Sequence, residues 1–380
     1  MTANKPSLEL LRELSDEHVL RALMEAQQLT RAQIATRTGI SKPTVAESVR
    51  RLEAADLVVD TGERTKGRGR VGTYYALSPS IGLAAAVAVA PEGITVELVD
   101  ALGEVQARAT RSVPETIGPG QVSELLRAAF KDAAKQNSAS IRVAVVSAAD
   151  PVDRLTGRLR QLPDLPFLIG DLDPARTLRG LVTGNVVVDN DVNWAALAER
   201  AASPNPLEDF AYLYLGEGLG CAIVSDGDVR RGHEGLAGEI AHLITYGPRG
   251  TAMPFIEVFA ALRLRRNGST AIDVEALTAA VAGGSVRAAR TAEALGRAVS
   301  GAIAAIVAVT NPALVVVGGW GAEPTVLGSI GTAMEALPRT VKVRAAQLVT
   351  QPALAGARAA AVGQLRLSVT DYRNHRFSDV

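Results

Sequence analysis

The sequence predicts an α/β protein in two parts, a small helical head and a large body of alternating strands and helices. Three observations predict it. At roughly 100–200 residues per domain, the 380 residues make two or three domains. The charge is unevenly spread: 40 basic and 40 acidic residues cancel overall, yet residues 31–78 hold 9 basic against 5 acidic, and 79–380 hold 28 against 30. Beyond residue 80, short β-branched runs alternate with helical spacings, the pattern of an α/β architecture.

The same numbers exclude several classes. Zero net charge rules out a uniformly basic nucleic-acid coat and an acidic solvating tail. One cysteine, Cys221, excludes a disulfide framework within the chain and a zinc site built from several thiolates. The first residues, MTANKPSLELLREL, have no apolar core followed by small residues, so no secretory signal is expected. Residues 298–322 carry no charge and are long enough to cross a bilayer. Asn311-Pro312 interrupts them and Gly318-Gly319 ends them, so a buried helix, a turn and a buried strand are expected instead, in a cytoplasmic protein with no membrane partner.

In the head, Ala32–Thr38 suits a short helix, Gly39 a tight turn, and Ser41 the N-cap of a second helix with Pro43 in its first turn. Val45, Val49 and Leu52 form one buried stripe, which leaves Lys42, Thr44, Glu47, Ser48 and Arg51 facing away or sideways. Two β-capable runs, Leu57–Val59 and Thr73–Leu77, flank a loop in which Lys66, Arg68 and Arg70 alternate with glycines. A protein–protein helical hairpin with a solvated basic loop would use similar residues. Both halves in this order, with the local positive charge, predict a winged helix-turn-helix over residues 1–78, its second helix in a major groove and its wing arginines in a narrower one. The DNA-facing set is then Ser41, Lys42, Thr44, Glu47, Ser48, Arg51, Lys66, Arg68 and Arg70.

Ser78-Pro79-Ser80 reads as a short linker to the body, residues 79–380. Strands are expected at Leu83–Val89 and Ile94–Val99 around a Pro91-Glu92-Gly93 turn, and again at Arg142–Val146, Val186–Val188 and Tyr212–Leu215. Helices are expected at Val122–Lys135, Trp194–Ala201 and Val286–Val309. Strand, glycine turn, strand occurs at 83–99 and again at 212–224, an echo that suits a two-lobed body.

Three segments of the body carry the informative chemistry. VDNDVN sets polar residues where a strand meets a helix; its carboxylate could take a proton from a hydroxyl or simply cap the helix. Gly216, Gly218 and Gly220 could cradle an anion or form an ordinary hairpin, and Glu217 sits among them. Glu239 and His242 would share one side of a helical turn.

Together these segments resemble the ROK family of sugar kinases and sugar-responsive repressors. AADPVDRLTGRLRQLPDLP is similar to the loop that leads into the family's sugar site, and VDNDVNWAALAE to its N-D-x-N segment. GHEGLAGEIAHL resembles the family's G-x-x-G-x-A-G-E-x-G-H motif, and NPALVVVGGWG its late strand and glycine pair. The resemblance implies an actin-like (ribonuclease H-like) fold with lobes of about 82–190 and 191–365, the C-terminal segment returning to the first lobe. It also implies a sugar-binding set of Asn190, Asp191, Glu239, His242 and Glu257, in which the family's kinases use the position of Asp191 as general base.

The departures from the family point away from catalysis. The first phosphate loop, D-x-G-G-T-[KN] in the family, corresponds here to VAVAPEG, with Ala88 at the aspartate and no Gly-Gly-Thr. In the second, Glu217 replaces the threonine of G-T-G-x-G. The family's zinc stretch C-x-C-G-x-x-G-C-x-E corresponds to PRGTAMPFIE; all three thiols are gone while Glu257 persists, so neither metal nor cofactor is expected. Phe255 is the expected plug that holds the loop of His242. The reading is a regulator, most simply a repressor of carbohydrate metabolism, that binds a double-stranded DNA operator as a homodimer or homotetramer. Its body senses a sugar or sugar derivative without turning it over. An active sugar kinase carrying a DNA-binding head, or a regulator whose body is only an oligomerisation scaffold, are the rival readings.

Overall fold

The computed structural model describes residues 8–65, 71–114, 119–160, 162, 172–205 and 207–370. The head consists of α1 (Leu8–Met24), β1 (Leu29–Thr30), α2 (Arg31–Thr38), α3 (Lys42–Ala54), β2 (Val58–Arg64) and β3 (Thr73–Leu77). Thr30 and Gln33 close a reciprocal capping box at the start of α2, and Gly39 ends that helix at φ 71°. Ser41 caps α3 by accepting from the Thr44 amide. Val45, Val49 and Leu52 are buried as their spacing predicts, with Val19, Leu23 and Ile34 around them. The wing is a three-stranded sheet ordered β1-β3-β2. Helix α1 and the short β1 were not legible as elements in the sequence.

The body holds two sheets of the same design. The first lobe contains β4 (Leu83–Ala90), β5 (Gly93–Val99), β6 (Val105–Arg111), α4 (Pro119–Ala134), β7 (Ile141–Ala148), α5 (Pro174–Thr177) and β8 (Val186–Asn190). Helix α6 (Asp191–Ala202) leads to the second, with β9 (Phe210–Leu215), β10 (Leu219–Ser225), β11 (Asp228–Val229), β12 (Ile244–Tyr246) and β13 (Ala252–Pro254). There follow α7 (Phe255–Ala261), α8 (Val274–Val281), α9 (Val286–Thr310), β14 (Leu314–Gly319), α10 (Pro324–Glu335), β15 (Lys342–Ala345) and α11 (Pro352–Thr370). The sheets are ordered β6-β5-β4-β7-β8 and β11-β10-β9-β14-β15. In each, an antiparallel meander of three strands is followed by two parallel strands on the side of the meander's first strand. The echo in the sequence is therefore a repeated fold.

The C-terminal helix closes the first lobe. Helix α11 packs on α6, β4 and β7, and Gly356 is required because a Cβ there would lie 2.0 Å from the Trp194 carbonyl oxygen. Buried Glu97 of β5 receives Arg358 of α11 at 2.7 and 3.1 Å. Glu199 of α6, fully buried, accepts from Arg344 at 2.6 Å and from the amides of Gln347 and Leu348.

The junction between head and body is tighter than a linker. Ser78 is buried, donates to the Asp56 carboxylate at 3.1 Å, and starts a single 3-10 turn, Pro79–Ile81. One apolar cluster runs from Val19, Leu23 and Leu52 through Ile81 and Ala84 to Ala361 and Leu365 of α11. Arg366 donates to the carbonyls of Ala101 (2.7 Å) and Met24 (3.1 Å), fastening α1 to the first lobe. The uncharged stretch 298–322 resolves into the end of α9, an Asn311 left-handed cap and β14. Helix α9 is long and apolar enough to cross a membrane, and most of it is buried within the fold.

Candidate nucleic-acid interface and interlobe cleft

On α3 the face opposite the apolar stripe is open to solvent. Ser41, Lys42, Thr44 and Glu47 are exposed there, and so is Arg50, which the sequence pattern did not single out. Glu47 is paired with Arg50 at 3.0 Å, both side chains exposed. Two of the expected contacts are corrected. Ser48 is fully buried, and Arg51 lies against α1, where Nη2 donates to the Asp16 carboxylate at 2.6 Å and to the Ser48 hydroxyl at 2.9 Å. Spacing could have found this: Ser48 stands between Val45 and Leu52 on the buried side of the helix. In the wing, Arg64 pairs with Asp60 at 2.8 Å and holds its carboxyl below the usual range. Lys66, Arg68 and Arg70 lie outside the described residues.

The candidate ligand site lies at the carboxyl ends of the first lobe's parallel strands, the edge of an α/β sheet where ligands generally bind. Val89, Ala148 and Asn190 stand in register at the ends of β4, β7 and β8. Asn190 caps α6, its side-chain oxygen accepting from the Val192 amide at 2.9 Å, and Asp191 opens that helix. Across from it, Gly220 packs so tightly on Val192 that a Cβ would stand 2.6 Å from a valine methyl. Gly220 also bridges to Glu239, which brings Glu239 to the α6 terminus. Burial pushes the Asp191 carboxyl up to about 7, helped by Glu239 and Glu92 nearby and opposed by the Val192 amide. Glu239 is reached by solvent on one side, yet protein walls the rest of it, and burial lifts it to about 7 as well.

The glycine turn after β9 is a hairpin with Leu215 opposite Leu219. Its glycines serve close approach: Gly216 lies against the Tyr214 ring as Gly220 does against Val192. Glu217 is ion-paired with Arg266; burial raises its carboxyl, Arg266 lowers it, and Glu92 raises it further. Tyr214, which sequence reasoning missed, is half-buried among Asp191, Glu92 and Glu217, and its hydroxyl is pushed up mainly by burial. Glu92 thus stands near both Asp191 and Glu217, with Tyr214 among the three.

Glu239 and His242 do not share a helix. They lie in consecutive turns, with the Leu243 amide donating to the Ile240 carbonyl. Behind them the Phe255 and Ile256 amides, at the start of α7, donate to the carbonyls of Leu243 and Ala241 at 2.9 Å. Phe255 is fully buried, 5.7 Å from Phe259, which meets Trp320 edge-on at 5.4 Å. Glu257, on the exposed side of α7, is paired with Arg265 at 3.0 Å. The donors do not fit a zinc ion. The stretch 248–257 has no thiol, Cys221 is buried in β10 with its thiol pushed up to about 12, and among the described residues no group of three or more His, Cys, Asp or Glu could hold a metal.

A profile described as "ROK family" matches residues 85–370. The chain belongs to the ROK family. A second profile, "Winged helix-turn-helix DNA-binding", matches residues 12–59 of this ROK protein. Among curated proteins it is 24% identical over 246 residues to the xylose repressor of Caldicellulosiruptor bescii, covering 61% of this chain and 59% of that protein. It is also 24% identical over 240 residues to the DNA-binding transcriptional dual regulator NagC of Escherichia coli K12, covering 62% and 59%. The alignments thus span less than two thirds of either relative. Among solved structures, a ROK family transcriptional regulator, a homologue of the E. coli MLC protein, superposes with a TM-score of 0.66 at 19% identity, covering 95% of this chain and 99% of that one. A ROK family glucokinase from Streptomyces griseus, in complex with glucose and AMPPNP, superposes with a TM-score of 0.57 at 23% identity, covering 74% and 99%. The ROK fold thus extends over the body, and the fuller superposition takes in the head.

Proposed function

We propose that this ROK protein is a sugar-responsive transcriptional repressor that works in the cytoplasm. Its head binds a double-stranded DNA operator, its body binds a sugar or sugar derivative between the lobes, and it transfers no phosphate. One observation carries the reading: an open helix-turn-helix face is joined to a kinase-like body in which Glu92 and Glu217 stand at the two phosphate-loop positions, Glu92 close enough to raise the carboxyls of both Asp191 and Glu217. A carboxylate beside a nucleotide phosphate costs about 1 kcal/mol at 4 Å even in water, and more where water is displaced. Phosphoryl transfer depends almost wholly on positioning and charge neutralisation, so two such substitutions oppose it at its root. The names of the relatives, a xylose repressor and NagC, support a sugar as effector and DNA as partner.

The remaining polar set suits sugar hydroxyls. Asn190 offers an amide and Asp191 and Glu239 offer carboxyls that titrate near neutrality, so each can donate or accept a hydrogen bond. His242 is exposed in the turn that follows Glu239. Ligand closing the cleft would move one lobe against the other and, in a homodimer or homotetramer, reset the distance between two heads. The test selects operator fragments from random duplex DNA, then adds xylose, glucose, N-acetylglucosamine and their phosphates. Sugar-dependent release without ATP consumption is the expected result. ATP turnover with any of these sugars, lost in Asp191→Asn, would sink the reading in favour of a kinase.

A further inference from the structure

We propose that Arg231 is the positioning residue of this cleft: seated on the Asp189 carboxylate, it holds the segment that carries Glu239 and His242 against the strand end that carries Asn190 and Asp191. That these residues contact an effector rests on the function proposed for the cleft; the placement of the segment does not.

Asp189 lies in β8, one residue before Asn190, and is buried. Its Oδ2 receives Nε and Nη2 of Arg231, each at 2.7 Å. Its Oδ1 receives the Asn190 amide and the Asn193 side-chain amide, each at 2.8 Å. One carboxylate therefore fixes both the turn into α6 and the guanidinium from the opposite lobe. Arg231 is oriented in turn by Nη1 donating to the Val229 carbonyl at 3.2 Å, and its own carbonyl accepts from the Ala237 amide at 3.2 Å, folding back the chain towards Glu239.

Two further ties from the first lobe grip the same segment at its rim. Arg154 donates to the Gly232 carbonyl at 2.6 Å, and Arg160 pairs with Glu234 at 2.6 Å while also holding Asp153. Gly235, at φ 84°, lies so close to the Val152 carbonyl that a Cβ would stand 1.9 Å from its oxygen. The rim ties are exposed and replaceable by water, whereas the Asp189 carboxylate is buried, and removing Arg231 leaves it without its counter-charge. A ligand that grips Asn190 and Glu239 together pulls on parts that this buried pair holds in register.

The test needs no ligand to begin. The chain has four histidines, so ring-labelled histidine gives a sparse spectrum in which the His242 signals are assigned with His242→Gln. In Arg231→Gln the His242 signals should shift, and amide exchange over 236–243 should quicken by about tenfold. His18 in the head and exchange over α3 should stay as they are. Arg231→Lys should restore part of the effect, and Glu234→Gln, which opens only the rim, should show little of it. His242 signals and exchange in Arg231→Gln that match the unaltered chain would overturn the proposal. Titration with xylose, glucose and N-acetylglucosamine is the separate arm. No binding by the unaltered protein would count against the effector reading alone, whereas binding that Arg231→Gln does not weaken would overturn the positioning role.

Discussion

Arg51 spends its guanidinium on Asp16, 2.6 Å away across the α1–α3 contact, so a basic residue of the DNA-reading helix is an internal strut of the head. A phosphate contact and a strut respond oppositely when the acid is removed. Asp16→Ala would free a cation and tighten DNA binding if Arg51 touched phosphate. As a strut it strands a partly buried charge, and both Asp16→Ala and Arg51→Ala should destabilise the head by about 2 kcal/mol. Thermal unfolding followed beside DNA affinity decides this; tighter binding by Asp16→Ala would return Arg51 to the interface.

The open face of α3 makes a second prediction. Lys42→Ala and Arg50→Ala should each weaken DNA binding across all sequences, and so should Arg68→Ala and Arg70→Ala. Removing one phosphate-binding cation should flatten the dependence of log affinity on log salt by about 0.9. Replacing Arg50 also releases Glu47, so that variant should change base preference as well as strength. A salt slope untouched by any of the four would remove these residues from the footprint.

The cleft acids make stability depend on pH. Asp191 is pushed from its ordinary 3.8 up to about 7, so between those values the folded chain holds a proton that the unfolded chain has released. Stability must therefore fall as pH rises through that window. Burial sets most of that rise, and the charges of Glu239 and Glu92 add to it. Asp191→Asn should lift the melting temperature more at about pH 8 than at about pH 5. Parallel curves for variant and parent would show that Asp191 is ionised throughout.

Glu199 offers the strongest test of the packing. It is fully buried and meets Arg344 at 2.6 Å with two backbone amides beside it, tying α6 to the chain that leads into α11. Arg344→Ala leaves that carboxylate without its cation and should cost about 3–5 kcal/mol. Denaturant unfolding measures it, and a loss within experimental error would mean that the amides alone satisfy Glu199.

The sequence made the head and the repeated sheets legible, because both are written in local patterns. Val45, Val49 and Leu52 mark a helix face without help, and each lobe opens on two apolar runs about a turn. The short connection was legible at Ser-Pro-Ser but its tightness was not, because only the fold decides whether Ser78 meets water or Asp56. The Glu239–His242 helix failed for a similar reason: spacing by three fits a helix, but Gly238 at φ 97° and the bridge to Gly220 hold the chain in turns. Arg231 and Asp189 stand 42 positions apart, and nothing local announces such a pair. Glu257 matched a motif, and its pair with Arg265, on the chain just after α7, was not legible beside it.

The unbroken apolar seam from α3 to α11 bears on how such a protein would measure its operator. A head on a loose tether tolerates half-sites at many separations, since slack in the chain absorbs the difference. A head fused to its body has no slack to give. Two copies held together would act as calipers with one setting, accepting half-sites on the same face of the duplex and failing when about five base pairs, half a helical turn, are inserted between them. Any signal from the cleft would then reach DNA as a change in that setting.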